Sequence, residues 1–326
     1  MAASAPTDTE WMAAAARLAA RARPISRPNP GVGALLAKDG CVLARGWTNA
    51  GGRPHAEAVA LAGLAPGAAR GATLYVTLEP CAHESTRGPA CTDVVIAARP
   101  SRVVIGQSDP DPRTAGQGAR RIERAGIAVE ILNDAASRRS LSGYLTRAAM
   151  GRPRVTLKLA MSLDGCIAMA DGTSQWITGK TARAHVHAQR ARHDAILVGG
   201  ATWRADRPRL DVRLPGLEAR SPDKVLLSRG VAPDGFRVIN RPDQIAALDG
   251  VQYLYVEGGA GAAASFLMAD LVDELHIYRA PILIGDGLRA VGGIGLDDLS
   301  QSHGRWEMAE TRQLGSDSFS AYLRTR

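Results

Sequence analysis

The chain of 326 residues has few cysteines, few aromatic residues and no long apolar run. Its four cysteines follow no charged-then-apolar leader, which argues against a secreted disulfide framework and favours reduced thiols in the cytoplasm. No apolar run approaches the roughly 20 residues that a membrane helix requires. We therefore expect a cytoplasmic protein that has no membrane partner.

Acidic residues are in deficit, because 32 aspartates and glutamates face 40 lysines and arginines and leave a formal net charge of +8. The arginines are scattered along the chain, and aromatic residues make up only 4% of it. This combination favours small phosphorylated ligands over a nucleic-acid groove. We therefore expect no nucleic-acid partner.

The length of the chain accommodates about two domains. A helical pattern over 135–150 ends at the breaker Gly151-Arg152-Pro153, and a strand pattern restarts at Val155. We place the domain boundary there, with one domain over 1–150 and the other over 151–326.

The first half contains a set of metal-ligating residues, His55, Cys81 and Cys91. One imidazole and two thiolates suit Zn²⁺ and leave a fourth tetrahedral position for water, as in catalytic zinc sites. The signature of zinc deaminases is His-x-Glu followed by Pro-Cys-x-x-Cys. His55-Ala56-Glu57 and Pro80-Cys81 match it, although nine residues separate the two cysteines. The pattern predicts one catalytic Zn²⁺ per chain.

Glu57 lies two residues after His55, where an apolar pattern over 58–61 begins a helix and Pro54 suits its first position. Zinc lowers the pKa of a bound water towards about 7, so a nearby carboxylate can take its proton and pass it on. We expect Glu57 to be the general acid/base of a hydrolytic deamination, which delivers protons to a ring nitrogen and then to the departing ammonia.

Other interpretations of these residues stay open at this point. Cysteines are often buried small hydrophobic residues, which is the interpretation we give to Cys41 because it has no partner at a ligand spacing. A non-enzymatic zinc module would need a fourth protein ligand, for which His83 is the nearby candidate. A tRNA or other nucleic-acid deaminase would share His55 and Glu57 and explain the basic charge, with the second half as an accessory domain.

Local patterns of the first half indicate the elements around these motifs. The alanine-rich segment from Trp11 to Ala22 predicts a helix with Thr9 or Asp8 as its N-cap. Lys38-Asp39-Gly40 predicts the tight turn of a hairpin. The remaining patterns predict strands over 73–78, 102–106 and 126–132 and a helix over 91–98.

The second half has no Gly-x-Gly-x-x-Gly after its first strand, so a Rossmann fingerprint is absent. A strand predicted over 251–256 is followed instead by Gly258-Gly259 and a helix over 262–269. A helix N-terminus after a glycine pair can cradle a phosphate, here that of a dinucleotide pyrophosphate. Thr178 is predicted to cap a helix that runs through Arg190.

Ordered segments over nearly the whole chain resemble the bifunctional deaminase/reductase family of riboflavin biosynthesis. In the first half they are Pro28-Asn29-Pro30-Gly31-Val32-Gly33, Pro80-Cys81-Ala82-His83 with Pro89-Ala90-Cys91, and Asp109-Pro110-Asp111-Pro112. In the second half they lie at 158–165, 174–178, 195–199, 202–213 and 257–259. The resemblance implies an α/β fold, with an N-terminal cytidine-deaminase-like, helix-covered mixed sheet and a C-terminal dihydrofolate-reductase-like α/β domain.

The resemblance also implies two successive reactions and their residues. The first half would remove the 2-amino group of a diamino-ribosylamino-pyrimidinone 5′-phosphate, and the second would reduce its ribosyl group to a ribityl chain with NADPH. The implied NADPH contacts are Ala160, Trp176, Thr202, Asp206, Gly259, Ala260, Gly261, Ala262, Ala263, Ala264 and Ser265. The implied substrate contacts are Asn29, Asp109, Ser174, Arg190, Leu210, Arg213 and Glu257.

Three positions depart from residues that are common in the family. Thr48 replaces a histidine, Cys166 replaces a lysine or arginine, and Arg207 replaces an acidic or amide residue. The last strands, predicted over 271–284 and 306–323, look antiparallel and suited to an interface, so we expect a homo-oligomer.

Overall fold

The computed structural model describes residues 5–83, 88–231 and 233–326. These residues form two compact units, of which the first ends at Gly151 and the second begins at Arg152. Both units combine helices with a mixed sheet, which confirms the predicted α/β class. Among the described residues, no helix has the length and apolar character needed to cross a membrane.

The first unit is a five-stranded sheet covered by helices. Its strands are β1 (Gly33–Lys38), β2 (Cys41–Trp47), β3 (Thr73–Val76), β4 (Arg102–Ile105) and β5 (Ala128–Ile131). Its helices are α1 (Asp8–Ala22), α2 (Ala56–Leu61), α3 (Cys91–Ala98), α4 (Gln117–Arg124), α5 (Ala135–Ser140) and α6 (Ser142–Met150). The strand order is β2-β1-β3-β4-β5. β1 is antiparallel to both of its neighbours, whereas β3, β4 and β5 are parallel.

Successive residues of these strands contribute to two hydrophobic clusters, one on each face of the sheet. Leu36 and Val103 pack with residues of α2, α3 and α4. Leu35 and Val104, one position away in each strand, pack with residues of α1. The strand period of two therefore explains why helices cover both faces.

Two glycines allow helices to approach the sheet closely. A Cβ at Gly33 in β1 would lie 2.0 Å from the carbonyl oxygen of Ala15 in α1. A Cβ at Gly46 in β2 would lie 2.4 Å from the carbonyl oxygen of Ala56 and 2.6 Å from the amide nitrogen of Ala60, both in α2. No side chain fits at either position, so the seating of both helices depends on glycine.

The structure confirms the hairpin turn and corrects other local predictions. Asp39 and Gly40 adopt positive φ angles of 50° and 74° between β1 and β2. The N-cap of α1 is neither Thr9 nor Asp8 but Thr7, because only Thr7 has a glutamate three residues later, Glu10, to complete a capping box. The helical pattern over 135–150 breaks at Leu141 into α5 and α6. Cys41, interpreted as a buried residue, is exposed at the start of β2.

The second unit is built on an eight-stranded sheet. The strands of the whole unit, two of which lie outside this sheet, are β6 (Arg154–Met161), β7 (Cys166–Ala168), β8 (Ala195–Gly199), β9 (Asp223–Leu227), β10 (Phe236–Ile239), β11 (Tyr253–Val256), β12 (Glu274–Arg279), β13 (Leu288–Arg289), β14 (Trp306–Leu314) and β15 (Asp317–Arg324). Its helices are α7 (Lys180–Arg190), α8 (Gly200–Asp206) and α9 (Ala260–Met268). The large sheet has the order β10-β9-β8-β11-β6-β12-β15-β14, and β7 pairs separately with β13.

The first six strands in this order, from β10 at the edge through to β12, are all parallel. The hairpin of β15 and β14 completes the sheet, and β15 pairs antiparallel with β12. The carboxyl ends of β6, β8 and β11 therefore share one edge, where open α/β sheets bind ligands. The predicted cap of α7 is wrong, since its N-cap is Gly179 rather than Thr178. The amide of Gly179 donates to Asp317 Oδ2 at 2.6 Å, a partner far away in the sequence.

The close contact at Gly33 leads to a first prediction. In Gly33→Ala the new Cβ meets helix backbone rather than a mobile side chain, so α1 must move away from the sheet. We expect the free energy of unfolding of the first unit to fall by about 3 kcal/mol. Urea unfolding followed by circular dichroism measures this. Gly63→Ala, whose Cβ meets nothing within 4 Å, is the matched control, and equal midpoints for the two variants would contradict the packing described.

Candidate functional site

Three segments of the first unit bring together the metal-ligating residues. His55 is the N-cap of α2, Cys91 is the first residue of α3, and Cys81 lies in the segment between β3 and α3. His55 Nδ1 is 3.2 Å from Cys91 Sγ and 3.6 Å from Cys81 Sγ, and the three ligand atoms lie within 4.8 Å of one another. Tetrahedral zinc with bonds of about 2.0–2.3 Å places its ligands about 3.5 Å apart. The donor set and its spacing therefore fit one Zn²⁺.

The start of α2 lies two residues later than the sequence predicts, at Ala56 instead of Pro54. Pro54 precedes the N-cap, and His55 has an extended backbone with φ −71° and ψ 165°, so it lies outside the helix. Glu57 lies in the first turn of α2 and is only 3% exposed. This places the carboxylate on the helix that begins at the imidazole ligand.

The electrostatics of Glu57 suit a group that both accepts and donates protons. Burial raises the pKa of its carboxyl above the ordinary value, and the charge of His55 opposes this shift. Burial acts to lower the pKa of His55, but the hydrogen bond with Cys81 and the charge of Glu57 outweigh it, so that this pKa is raised. A carboxyl with a raised pKa is the usual general acid/base at neutral pH.

The two thiols form a hydrogen-bonded pair in which Cys81 ionises first. The hydrogen bond with Cys91 lowers the pKa of Cys81 to about 4, against the opposing effect of burial and with a further contribution from His55. The amide of Cys91, at the start of α3, also donates to Cys81 Sγ at 3.3 Å. A helix N-terminus stabilises a thiolate, which is the form that binds zinc.

His83, the candidate fourth ligand, is not part of this cluster. Across the described ranges the structure brings together one group of metal-ligating residues, which consists of His55, Cys81 and Cys91. His83 Nδ1 lies 3.4 Å from Thr114 Oγ1 instead. Three protein ligands and a fourth open position are the arrangement of catalytic zinc.

A cavity of about 350 Å³ adjoins the metal ligands. Asn29 lines it, and its Nδ2 donates to the carbonyl of Gly52 at 3.1 Å and lies 3.4 Å from His55 Nε2. Asp109 lines it as well, and its Oδ1 accepts hydrogen bonds from Tyr144 Oη at 2.6 Å and from the Asp111 amide at 3.0 Å. Burial raises the pKa of Asp109, against the effect of the Tyr144 hydrogen bond. The two predicted substrate contacts of this half therefore share one cavity with His55, Cys81 and Glu57.

Sequence reasoning did not assign several residues that also line this cavity. They are Thr48, Arg53, Glu79, Asp111, Arg113 and Tyr144. Thr48 Oγ1 accepts a hydrogen bond at 2.9 Å from the amide of Val32, the residue that precedes β1. The segment Asp109–Arg113 lay within the family motif, but no local signal indicated Tyr144, because its contact with Asp109 spans 35 positions of sequence.

Three of the predicted NADPH contacts of the second unit lie at or just after the carboxyl ends of neighbouring parallel strands. Ala160 is near the end of β6, Thr202 follows β8 in α8, and Gly259 follows β11 as the N-cap of α9. The Gly259 amide donates to Thr202 Oγ1 at 3.1 Å. No side chain caps α9, so the amides of its first turn can bind phosphate, which fits a dinucleotide.

The remaining predicted NADPH contacts lie in three places. Ala260 to Ser265 form the first part of α9, and Asp206 is the last residue of α8. Trp176 lies between β7 and α7 with 64% of its surface exposed, and the Arg183 guanidinium lies 4.6 Å from its ring centroid. Ser174, a predicted substrate contact, lies in the same segment.

Two predicted substrate contacts form a buried ion pair. Arg190 Nε is 2.6 Å from Glu257 Oε1, and Arg190 Nη2 donates to Glu257 Oε2 at 3.0 Å. Lys158 Nζ is 3.6 Å from Glu257 Oε2. Burial acts to raise the pKa of Glu257, but the charges of Arg190 and Lys158 outweigh it and lower this pKa to about 2. Sequence reasoning did not assign Lys158 to this ion pair, although a lysine between two leucines of a strand was an available signal.

Leu210 and Arg213 lie on a loop that contacts this ion pair. Leu210 is 2% exposed with a φ of +57°, and the carbonyl of the next residue, Asp211, accepts from Arg190 Nη1 at 2.9 Å. Arg213 is half exposed, and its Nη2 lies 3.3 Å from His187 Nε2. The structure thus gathers Arg190, Leu210, Arg213 and Glu257 into one region of the second unit.

Of the three departures from common family residues, Thr48 lines the cavity of the first unit. Arg207 is the C-cap of α8 and adopts a φ of 40°. Cys166 is buried at the start of β7. Only Thr48 is therefore placed at a described cavity.

Family profiles match both halves of the chain. Residues 5–107 match the cytidine and deoxycytidylate deaminase zinc-binding region, and residues 153–319 match the RibD C-terminal domain. The chain is 36% identical over 360 residues to the riboflavin biosynthesis protein RibD of Escherichia coli, covering 95% of this chain and 97% of that one. It is 40% identical over 284 residues to RibD of Corynebacterium ammoniagenes, covering 82% and 83%.

Solved structures resemble the whole chain. Acinetobacter baumannii RibD has a TM-score of 0.84 at 32% identity, with 98% of this chain and 99% of that chain covered. A diaminohydroxyphosphoribosylaminopyrimidine deaminase/5-amino-6-(5-phosphoribosylamino)uracil reductase of Thermotoga maritima has a TM-score of 0.86 at 30% identity, with the same coverage.

The ligand geometry leads to a second prediction. In Cys81→Ser or Cys91→Ser a hydroxyl replaces one of three protein ligands and is a poor substitute for a thiolate. We expect the zinc content by elemental analysis to fall well below one per chain. Cys41→Ser, which changes an exposed cysteine outside the cluster, should retain stoichiometric zinc. Full zinc content in both ligand variants would show that the ligand set is wrong.

Proposed function

The chain belongs to the RibD family of riboflavin-biosynthesis deaminase/reductases, and from this premise we propose which residues carry each reaction. The protein is a bifunctional enzyme, a zinc-dependent deaminase and a reductase. We assign deamination to residues 1–150 and reduction to residues 151–326. The single observation that carries the deaminase assignment is the buried Glu57 carboxylate on the helix that begins at a three-ligand zinc site.

The proposed deaminase substrate is a diamino-ribosylamino-pyrimidinone 5′-phosphate. Zinc, when bound by His55, Cys81 and Cys91, supplies an activated water for hydrolysis. Glu57 would carry one proton of the attacking water to the ring nitrogen and the second, from the new hydroxyl group on the carbon, to the amino group, which departs as ammonia while the carbonyl forms. The net reaction exchanges the 2-amino group for oxygen and consumes one water. The raised pKa of Glu57 supports both proton transfers.

Asn29 and Asp109 orient the substrate in this proposal. Asn29 lies beside His55, so its amide can contact the edge of a pyrimidine held next to the metal. Tyr144 and the Asp111 amide fix the carboxyl of Asp109 in the cavity. We assign it the ribosyl part of the substrate, because it lies on the loop that the family uses for the ribose phosphate.

The second domain reduces the ribosyl group of the deaminated product to a ribityl chain. NADPH, when bound, supplies the hydride. Residues 259–265 form the N-cap and first part of α9, whose uncapped N-terminus would hold the pyrophosphate. Ala160, Trp176, Thr202 and Asp206 would complete the contacts with the cofactor.

Five residues hold the substrate of the reductase in this proposal. Arg190 and Lys158 keep Glu257 ionised, so Glu257 can accept hydrogen bonds from substrate hydroxyls. Arg213, half exposed beside His187, is available for the substrate phosphate. The five residues are Ser174, Arg190, Leu210, Arg213 and Glu257.

We further propose that the substrate is a free nucleotide, that the enzyme is cytoplasmic and that it forms a homo-oligomer. The four free cysteines support a reducing compartment. The nine residues of β14 at the edge of the sheet are largely exposed, which supports pairing with a second copy. The alternative substrate, a nucleic acid, would make turnover strongly dependent on salt.

The role of Glu57 leads to a third prediction. Glu57→Gln preserves the size of the side chain but removes the proton carrier, so ammonia release should fall by about 10²- to 10⁴-fold. Zinc content should stay near one per chain, and the same preparation should still oxidise NADPH when it receives the deaminated intermediate. Near-normal ammonia release from the zinc-loaded variant would contradict the assignment.

A fourth prediction separates the two activities. Arg213→Ala should release ammonia normally but raise the Michaelis constant for reduction by about 10- to 100-fold, since each charge-assisted hydrogen bond contributes about 1.5–3 kcal/mol. Glu257→Gln should lower the turnover of reduction as well. Arg209→Ala is the matched control, because Arg209 also pairs with Asp211 but has no proposed substrate contact. Loss of both activities in any of these variants would mean that the two reactions share one site.

A further inference from the structure

Glu79 lines the cavity of the first unit but has no part in the chemistry described above. It is 2% exposed, and its carboxylate accepts three backbone hydrogen bonds. Oε2 accepts from the amides of Asp109 at 3.2 Å and Gly116 at 3.0 Å, and Oε1 accepts from the amide of Ala119 at 3.1 Å. The amide of Glu79 itself donates to the carbonyl of Gln107 at 2.9 Å. Four hydrogen bonds therefore join this one residue to the segment 107–119.

Glu79 replaces the missing side-chain cap of α4, the helix that begins within the segment 107–119. The N-cap of α4 is Gly116, with a φ of 69° and no side chain to accept the first amides of the helix. Glu79 accepts the amides of Gly116 and of Ala119, the third residue of the helix, and its negative charge lies at the positive end of the helix. A carboxylate, which has only acceptors, is suited to three converging N–H groups, whereas an amide would direct its own NH₂ group towards at least one of them.

The start of α4 also packs against the backbone next to the zinc ligand Cys81. A Cβ at Gly118 would lie 2.1 Å from the carbonyl oxygen of Pro80, and Pro80 immediately precedes Cys81. The same segment carries Asp109, whose amide is bound by Glu79 and whose side chain enters the cavity. Glu79 thus connects the backbone next to Cys81 with the backbone of Asp109.

We propose that Glu79 is a positioning residue of the deaminase, which fixes the loop carrying Asp109 relative to the zinc-binding segment and so places the substrate over the metal. The proposal rests on the function proposed above, since it needs Asp109 to contact the substrate. Glu79 acts through Asp109 and does not touch the reacting atoms. Its loss should therefore affect substrate binding more than the chemical step.

The test compares Glu79→Gln with wild-type enzyme in the full chain. We expect stoichiometric zinc, a Michaelis constant for the diamino substrate raised by about 10- to 100-fold, and a turnover number for ammonia release within about threefold of wild type. Reduction of the deaminated intermediate should be unchanged. Glu79→Asp, which keeps the charge but shortens the side chain, should show a smaller increase.

Asp134→Asn is the matched control. Asp134 is also a helix-capping carboxylate of the first unit, since its side chain accepts the amide of Ser137 at 2.9 Å at the start of α5, but it does not line the cavity. We expect its variant to lose stability to a similar degree and to keep the Michaelis constant of wild type. A purely structural role of Glu79 predicts the same behaviour for both variants, and that result would overturn the proposal.

A double-mutant cycle with Asp109→Asn identifies the route of the effect. If Glu79 acts through Asp109, the two substitutions together should raise the Michaelis constant by less than the product of their separate increases. Independent, multiplicative effects would overturn the proposal, as would loss of zinc from a folded Glu79→Gln variant. If Glu79→Gln does not fold, the same cycle is run with Glu79→Asp. Absence of ammonia release from wild-type enzyme would reject the proposed function itself, which is a separate outcome.

Discussion

Parallel strand pairing determines where the chemistry of both halves lies. The carboxyl ends of parallel strands meet at one edge of a sheet, and the segments that follow them are brought together even when they are distant in sequence. In the first unit Cys81 follows β3 and Asp109 follows β4, and β3 and β4 are parallel neighbours. In the second unit Thr202 follows β8 and Glu257 follows β11, which are again parallel neighbours. Each site is thus a result of strand direction before it is a result of particular side chains.

Two glutamates with buried side chains show how environment shifts the pKa of one residue type in opposite directions. Burial raises the pKa of Glu57, because the opposing charge of His55 does not outweigh it. The side chain of Glu257 is also largely buried, but Arg190 and Lys158 lower its pKa to about 2, so it remains a fixed negative charge. The opposite directions of the two pKa shifts therefore follow from the charged groups beside each carboxylate.

The sequence predicted what depends on local pattern or on metal chemistry. The α/β class, the hairpin at Asp39 and the His55, Cys81 and Cys91 cluster follow from periodicity, turn residues and ligand type. The cap of α1 at Thr7 was also predictable from the sequence, because Glu10 stands three residues after it, but the prediction chose Thr9 or Asp8. The cap of α7 at Gly179 was not predictable, since its hydrogen-bond partner Asp317 is 138 positions away. The side-chain hydrogen bonds of Glu79 span 30 to 40 positions, and no local rule indicates them.

Gly46 lies in the edge strand β2 and has no side chain, yet it determines how closely α2 packs on the sheet. His55 and Glu57 stand at the start of that helix and line the cavity, so the position of both side chains depends on the absence of a side chain at position 46 of β2. A random-mutagenesis screen for lost deamination should therefore recover substitutions at position 46 together with those at the metal ligands. Such variants would resemble active-site mutants in their kinetics, although the altered atom belongs to the scaffold.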